Sequence, residues 1–244
     1  MERLALEAIV LSTVDYGDAD RIVTLFTRAR GKLSAFAAGA RKSKRRFAGA
    51  FESGTALRAQ LVETRGDTWR VDAVDIARSF HATRGDLSAI ARALHALELC
   101  RELLRDGQPH AELYDALLAY LSRLDEAVAD ESGHVRFEID ALSLTGFRPD
   151  FQACVRCGSD WGVGPTFDAD AGGALCNACA STSRGGIAVT PDIMQGLRAV
   201  QQGAVPSWSD SARRRAQQLL NLFVAHHVGR PLKSVAFMAQ VGAD

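Results

Sequence analysis

Cys154-Val155-Arg156-Cys157 and Cys176-Asn177-Ala178-Cys179 place four thiols in two close pairs, separated by eighteen residues. A Cys-x-x-Cys turn aims two sulfurs at one point. Two such turns facing each other close a tetrahedral four-sulfur site of the kind that holds Zn²⁺. A closed site of this type leaves no position for water or substrate, so it is expected to build structure and not to catalyse. Two other readings of the pairs are disulfides in an exported protein and a thioredoxin-like redox motif. Met1-Glu2-Arg3 leads into a mixed segment without the apolar core of an export signal, and no strand–helix unit frames either pair. The glycines around the pairs, Gly158, Gly162, Gly164, Gly172 and Gly173, suit the tight turns of a small ribbon. Between residues 151 and 185 the large apolar residues are few: Phe151, Trp161, Phe167 and Leu175. So small a core predicts that metal binding supplies the folding free energy of this segment.

Other candidate chemistries are weaker. His110-Ala-Glu112 followed by Cys154-x-x-Cys157 has the outline of a zinc deaminase, but Ala153 stands where the proline belongs and a second cysteine pair competes for the metal. There is no Gly-x₄-Gly-Lys-Ser/Thr phosphate loop, no Gly-x-Ser-x-Gly elbow and no convincing carboxylate cluster for two metals. No enzymatic activity is expected. Cys100 stands in an apolar helical stripe and reads as a small buried hydrophobe. His226 and His227 precede a helix end and read as packing or helix-terminus residues.

The second chemical feature is charge. The 29 basic and 29 acidic residues cancel, yet Arg21 to Phe51 holds nine basic residues and no acidic one. The rest of the chain therefore carries 20 basic residues against all 29 acidic ones, a strongly polarised distribution that calls for an anionic partner. Arg41, Lys42, Lys44, Arg45 and Arg46 form the densest run, with Arg28, Arg30 and Lys32 extending it. Cations on an exposed segment with glycines nearby suit phosphate contacts, and Phe47, with Phe51 beyond it, is expected to stack on bases. The chain has 244 residues, 47% of them hydrophobic, enough for a real core. No apolar run approaches the roughly 20 residues of a membrane-spanning helix, so no membrane partner is expected.

The elements that must carry these groups come in two kinds. Up to residue 80 the sequence reads as five short strands separated by turns: Glu7–Val14, Arg21–Thr27, Leu33–Ala38, Thr55–Thr64 and Trp69–Ile76. Leu57, Ala59 and Leu61 alternate with Arg58, Gln60 and Val62, as in a strand with one buried face. Five strands of this size suggest an OB-fold barrel, and residues 39–47 are expected to be a projecting loop or hairpin between the third strand and the fourth. From residue 85 the period becomes helical. Leu87, Ile90, Leu94, Leu97, Cys100 and Leu104 make one stripe, bounded by Gly85-Asp86 and by Gly107 with Pro109. Leu113, Leu117, Tyr120, Leu121, Leu124 and Val128 make a second. A third helix begins near Ser132 and stops at Gly146. Helices resume at Thr190-Pro191-Asp192 and at Ser209-Asp210, the last ending at Gly229 and Pro231. The fold class expected is α+β and multidomain: an OB-fold barrel over 1–82, a helical domain over 83–150 and 186–244, and a Cys₄ zinc ribbon, 151–185, inserted in it.

Three segments in this order resemble the bacterial RecO family of recombination mediators and DNA repair proteins. They are Glu7 to Phe47, EAIVLSTVDYGDADRIVTLFTRARGKLSAFAAGARKSKRRF; Gly146 to Gly158, GFRPDFQACVRCG; and His226 to Phe237, HHVGRPLKSVAF. The resemblance spans nearly the whole chain. It implies an N-terminal OB-fold, a helical domain and a zinc ribbon. It implies binding of single- and double-stranded DNA, annealing of complementary strands and help in loading a recombinase onto strands coated by single-strand-binding protein. It implies RecR and that coating protein as partners, and a cytoplasmic, nucleoid-associated setting. Some members of the family lack the zinc ligands; Cys154, Cys157, Cys176 and Cys179 are all present here. The expected function is therefore that of a non-enzymatic DNA-binding mediator. Two other classes are a protein-interaction adaptor and a zinc-ribbon RNA-binding or transcription factor.

Overall fold

The computed structural model describes residues 3–43, 45–64, 68–127, 131–206 and 208–243. The chain separates into two compact units, Met1–Val128 and Ala129–Asp244.

In the first unit, β1 (Arg3–Tyr16), β2 (Asp20–Thr27), β3 (Gly31–Ala37), β4 (Ala56–Glu63) and β5 (Trp69–Arg78) close a barrel in the order β1-β2-β3-β5-β4. All pairings are antiparallel except β3 with β5. This is the five-stranded OB-fold expected from the spacing of strands and turns. Closure depends on β1 being longer than its apolar run suggests. Its first half pairs with β4, its second half with β2, and the register shifts between Val10 and Ser12. A bulge of this kind bends the strand and lets one strand serve two neighbours.

Alternation sets the interior. Leu6, Ala8 and Val10, then Val23 and Leu25, Leu33, Ala35 and Ala37, Leu57, Ala59 and Leu61, and Val71 all point into one buried cluster. The expected inward set of β4 is the observed one. The cluster also takes Ala40, Phe47, Ala50 and Phe51 from the segment after β3, so that segment plugs the barrel as well as projecting from it.

Two helices complete this unit, α1 (Leu87–Leu103) and α2 (Ala111–Asp125). Asp86 caps α1 by accepting a hydrogen bond from the Ser88 amide at 3.0 Å. The helix stops at Leu103, four residues short of the Gly107 expected to end it. Residues 104–108 leave the helix because their backbone pairs with the start of β3, where the Gly107 amide donates to the Lys32 carbonyl at 2.9 Å. Helix α2 lies on the outside of the barrel, where Tyr114 meets Phe26 edge-on at 5.6 Å.

The second unit holds α3 (Glu131–Leu144), then a small sheet of β6 (Thr166–Asp168), β7 (Gly173–Leu175) and β8 (Ile187–Ala188) with a helical turn α4 (Asn177–Ala180). Helices α5 (Pro191–Gln201), α6 (Asp210–Val228) and α7 (Lys233–Val241) follow. Ser209 caps α6 through the Ala212 amide, and Gly229 ends it in the left-handed region at φ 80°. Helix α7 lies beyond the stop at Gly229 and Pro231 and is shorter than the long helix expected before it. It is anchored by the buried Met238 and Leu232. The ring of Trp208 lies against Gly196 of α5, where a β-carbon would come within 2.0 Å of it. Among the described residues no helix is long and apolar enough to cross a membrane.

Candidate metal centre and nucleic-acid interface

The cysteine pairs converge. The sulfurs of Cys154, Cys157, Cys176 and Cys179 all lie within 4.8 Å of one another, and none of the cysteines is disulfide-bonded. Cys157 Sγ and Cys176 Sγ are 3.7 Å apart. Sulfurs about 2.3 Å from a tetrahedral zinc stand about 3.8 Å from each other, so the donor set has the size such an ion needs. The first pair sits on a tight turn in which the Gly158 amide donates to the Cys154 carbonyl and the Cys154 amide to the Ser159 carbonyl, both at 2.8 Å. Gly158 takes φ 73°, which the turn needs and a side chain would resist. The second pair is carried by α4, with Cys176 at its N-terminal cap and Cys179 within its single turn.

The thiols are set up unequally. Burial pushes the Cys154 thiol up, but hydrogen bonds from the amides of Cys176, Cys157 and Arg156 outweigh it and hold the group down at about 6. The Cys179 amide holds Cys176 below its ordinary value. Cys179 is pushed up to about 12, first by Cys157 and Cys154 beside it. Four thiolates cannot crowd together without a cation, and a divalent ion removes that repulsion.

Around the centre, Arg156 donates to the Cys179 carbonyl at 3.1 Å and to Thr182 Oγ1 at 2.8 Å, and its guanidinium lies 3.9 Å from the buried Asp168. The four apolar residues of the ribbon are all buried, and they do not form a closed core of their own. Phe167 stacks with Phe151 at 6.0 Å and meets Phe223 of α6 at the same distance. Packing on α6 therefore also holds the segment, alongside the metal binding expected to supply its folding free energy. His227 packs between Phe223 and Phe147, at 4.4 and 5.1 Å, and burial lowers its pKa.

In the first unit, the basic stretch divides into three roles. Lys32 is only 18% exposed, donates to the Arg101 carbonyl at 2.8 Å and pairs with Asp106 at 3.3 Å. It fastens the α1–α2 connection to β3, and a phosphate contact would have to break that join. Phe47 and Phe51 are 4% and 3% exposed, with ring centroids 5.0 Å apart inside the barrel. The expectation that Phe47 stacks on bases is therefore corrected: the ring is buried in the barrel cluster, and the Arg46 guanidinium lies over it. The apolar pair flanking a charged loop marks where the loop enters the core.

Arg41 and Arg46 fasten the loop at its two ends. Arg41 bonds the Gly17 carbonyl at 3.0 Å and Asp15 at 3.2 Å, while its amide donates to the Ala19 carbonyl. Arg46 lies over the Phe47 ring at 4.6 Å and donates to the carbonyls of Asp72 and Val71. Between these anchors Lys42 and Arg45 are exposed and, among the described residues, have no ion-pair partner. Lys44 lies outside the described residues. Arg28 makes a two-pronged pair with Asp115, both distances 2.9 Å, and Arg30 is exposed on the β2–β3 turn. The Arg28–Asp115 pair is itself about half exposed. A solvated pair of this kind contributes little to stability, so it leaves the arginine open to another anion. The carboxylates that answer these cations, Asp15, Asp72, Asp106 and Asp115, stand outside the basic stretch, the last 87 residues from its partner. Local composition gave no signal of them.

Compared with known proteins, residues 1–80 match the model of the Recombination protein O N terminal family, and residues 84–236 that of the Recombination protein O C terminal family. The chain is 54% identical over 244 residues to a DNA repair protein RecO of Myxococcus xanthus (strain DK1622), covering both chains completely. It is 44% identical to that of Anaeromyxobacter dehalogenans (strain 2CP-C), over 99% of this chain and 98% of the other. It is 35% identical to that of Geobacter sulfurreducens, over 99% of each.

Proposed function

This chain belongs to the RecO family, and on that premise we propose that it is a non-enzymatic mediator of DNA repair and recombination that binds single- and double-stranded DNA and anneals complementary strands. One observation carries the reading. The loop after β3 is fastened at both ends by arginines and presents Lys42 and Arg45 between them, exposed and, among the described residues, without an ion-pair partner. Such a segment contacts phosphates without reading bases. Annealing follows from the same charge, because a cationic surface lowers the repulsion between two polyanionic strands and adds no sequence preference. By likeness to the family, the role extends to loading a recombinase on coated single strands, with RecR and single-strand-binding protein as partners, at the nucleoid in the cytoplasm. Residues 1–82 are the DNA-binding barrel in this reading, 83–150 and 186–244 the helical domain, and 151–185 the ribbon.

The four-cysteine centre is read as a structural Zn²⁺ site. Its four thiols lie within 4.8 Å of one another, and a four-sulfur site of this kind leaves no open position for catalysis. The ion would staple the two Cys-x-x-Cys turns together.

The test is a fluorescent annealing assay with complementary oligonucleotides, accompanied by a salt titration of binding. Each lost phosphate contact flattens the salt slope by about 0.7 on single strands, so Lys42→Ala with Arg45→Ala reduces it by about 1.4 for every sequence alike. An unchanged slope and unchanged annealing would sink the proposal.

A further inference from the structure

The outer face of β1, β2 and β3 carries apolar groups where a solvated sheet normally carries polar ones. Val14 pairs with Ile22, Ile22 with Phe36 and Phe36 with Arg70, so one row crosses four strands. The inward neighbours Val23, Ala35 and Ala37 are buried, which turns this row outward. Val14 is 62% exposed and Tyr16, next on the same face of β1, is 56% exposed. Tyr16 and Phe36 meet edge to face, with centroids 5.9 Å apart and planes at 86°.

The basic loop is fastened beside this pair. Gly39 donates its amide to Asp20 at 2.7 Å, and Arg41 reaches across the β1–β2 turn to Gly17, the residue after Tyr16. The carboxylate of Asp15 is answered by two arginines, Arg21 at 3.1 Å and Arg41 at 3.2 Å. Arg70 flanks Phe36 from β5, half exposed and 3.8 Å from Asp72. An exposed ring, Tyr16, set against the partly exposed Phe36 and bordered by cations matches a ligand with flat apolar faces strung on an anionic backbone.

We propose that Tyr16 and Phe36 form a stacking platform for the bases of a single-stranded nucleic acid. The proposal rests on the nucleic-acid reading above and adds the residues that distinguish an unpaired strand from a duplex. A duplex hides its base faces and meets only the cations, whereas a single strand exposes them to aromatic rings. The platform takes the role that the buried Phe47 and Phe51 do not fill.

The experiment compares three probes: a single strand carrying 2-aminopurine, the same strand with abasic sites, and a duplex. Wild-type protein binds the abasic strand about tenfold more weakly than the normal one and quenches the 2-aminopurine. Tyr16→Ala with Phe36→Ala weakens binding of the normal strand about tenfold, but changes the abasic strand and the duplex by less than about twofold. Tyr16→Phe keeps wild-type binding. Phe36→Leu, which preserves apolar packing, loses the quench although the barrel stays folded. The platform is overturned if the double variant keeps affinity and quench, if normal and abasic strands bind alike, or if duplex binding falls equally. A wild-type protein that binds none of the probes overturns the parent reading as well, and is a separable outcome.

Discussion

Gly31 and Gln108 touch through their backbones: a β-carbon added at residue 31 would lie 1.9 Å from the Gln108 carbonyl oxygen. Gly31 also takes φ 68°, so it meets two separate demands that only glycine satisfies. Lys32 follows it directly and is held by Asp106 and the Arg101 carbonyl. The Gly-Lys pair thereby fastens the α1–α2 connection to the barrel. Gly31→Ala is expected to destabilise the first unit by about 3 kcal/mol, from backbone strain and overpacking together. Chemical denaturation with a barrel-specific probe measures it, and a loss under about 1 kcal/mol contradicts the account.

Phe47 and Arg45 stand two residues apart and answer to different physics. Phe47→Ala empties part of the barrel core and costs about 3 kcal/mol of stability. Arg45→Ala changes stability by less than about 0.5 kcal/mol, since its side chain is solvated. DNA affinity shows the reverse order when measured well below the melting temperature. If Phe47→Ala weakens DNA binding while leaving stability intact, the placement of its ring in the core is wrong.

Removing the metal should loosen the ribbon without unfolding the whole second unit. A strong chelator, or Cys154→Ser, is expected to expose the indole of Trp161, which is buried and donates to the Phe151 carbonyl at 3.1 Å. Phe167 against Phe223 keeps part of the segment docked on α6. The expected readouts are a red shift of tryptophan emission, a lower melting temperature and stoichiometric release of zinc. A protein that contains no metal and melts unchanged after Cys154→Ser would exclude a structural ion.

Asp168 gives the ribbon an acid limit. Burial pushes its carboxyl up, but the Ser183 hydroxyl, the amides of Ala171 and Asp170 and the Arg156 guanidinium together hold it below the ordinary carboxylate value. The unfolded chain takes up this proton near pH 4 while the folded ribbon still refuses it. The stabilisation is thus complete above about pH 4 and fades as the pH falls through the lower, folded-state value. Asp168→Asn is expected to lower the melting temperature at pH 7 and to make its fall between about pH 5 and 3 shallower. An equally steep fall in the variant would assign the acid sensitivity elsewhere.

Much of this molecule follows from local pattern. Two Cys-x-x-Cys turns bring their sulfurs together because each turn already aims its own pair, so only one long-range contact is left to make. Leu57, Ala59 and Leu61 declare an inward face because the strand period is two and the polar residues between them must stay wet. Asp86, Ser209 and Gly229 mark helix ends by conformational preferences that act within a few residues.

What the sequence could not decide is where each cation finds its counter-charge and which aromatic rings keep their faces free. Phe47 and Phe51 sit beside a charged run, yet barrel closure takes them inside; Tyr16 and Phe36 are 20 residues apart, yet strand register joins them on the outer surface. Lys32 looks like its basic neighbours until Asp106 arrives from the α1–α2 connection. Residue type fixes the kind of contact a group is able to make. Burial and partnership depend on distances between segments far apart in the chain, and only the closed barrel and its docked helices set those.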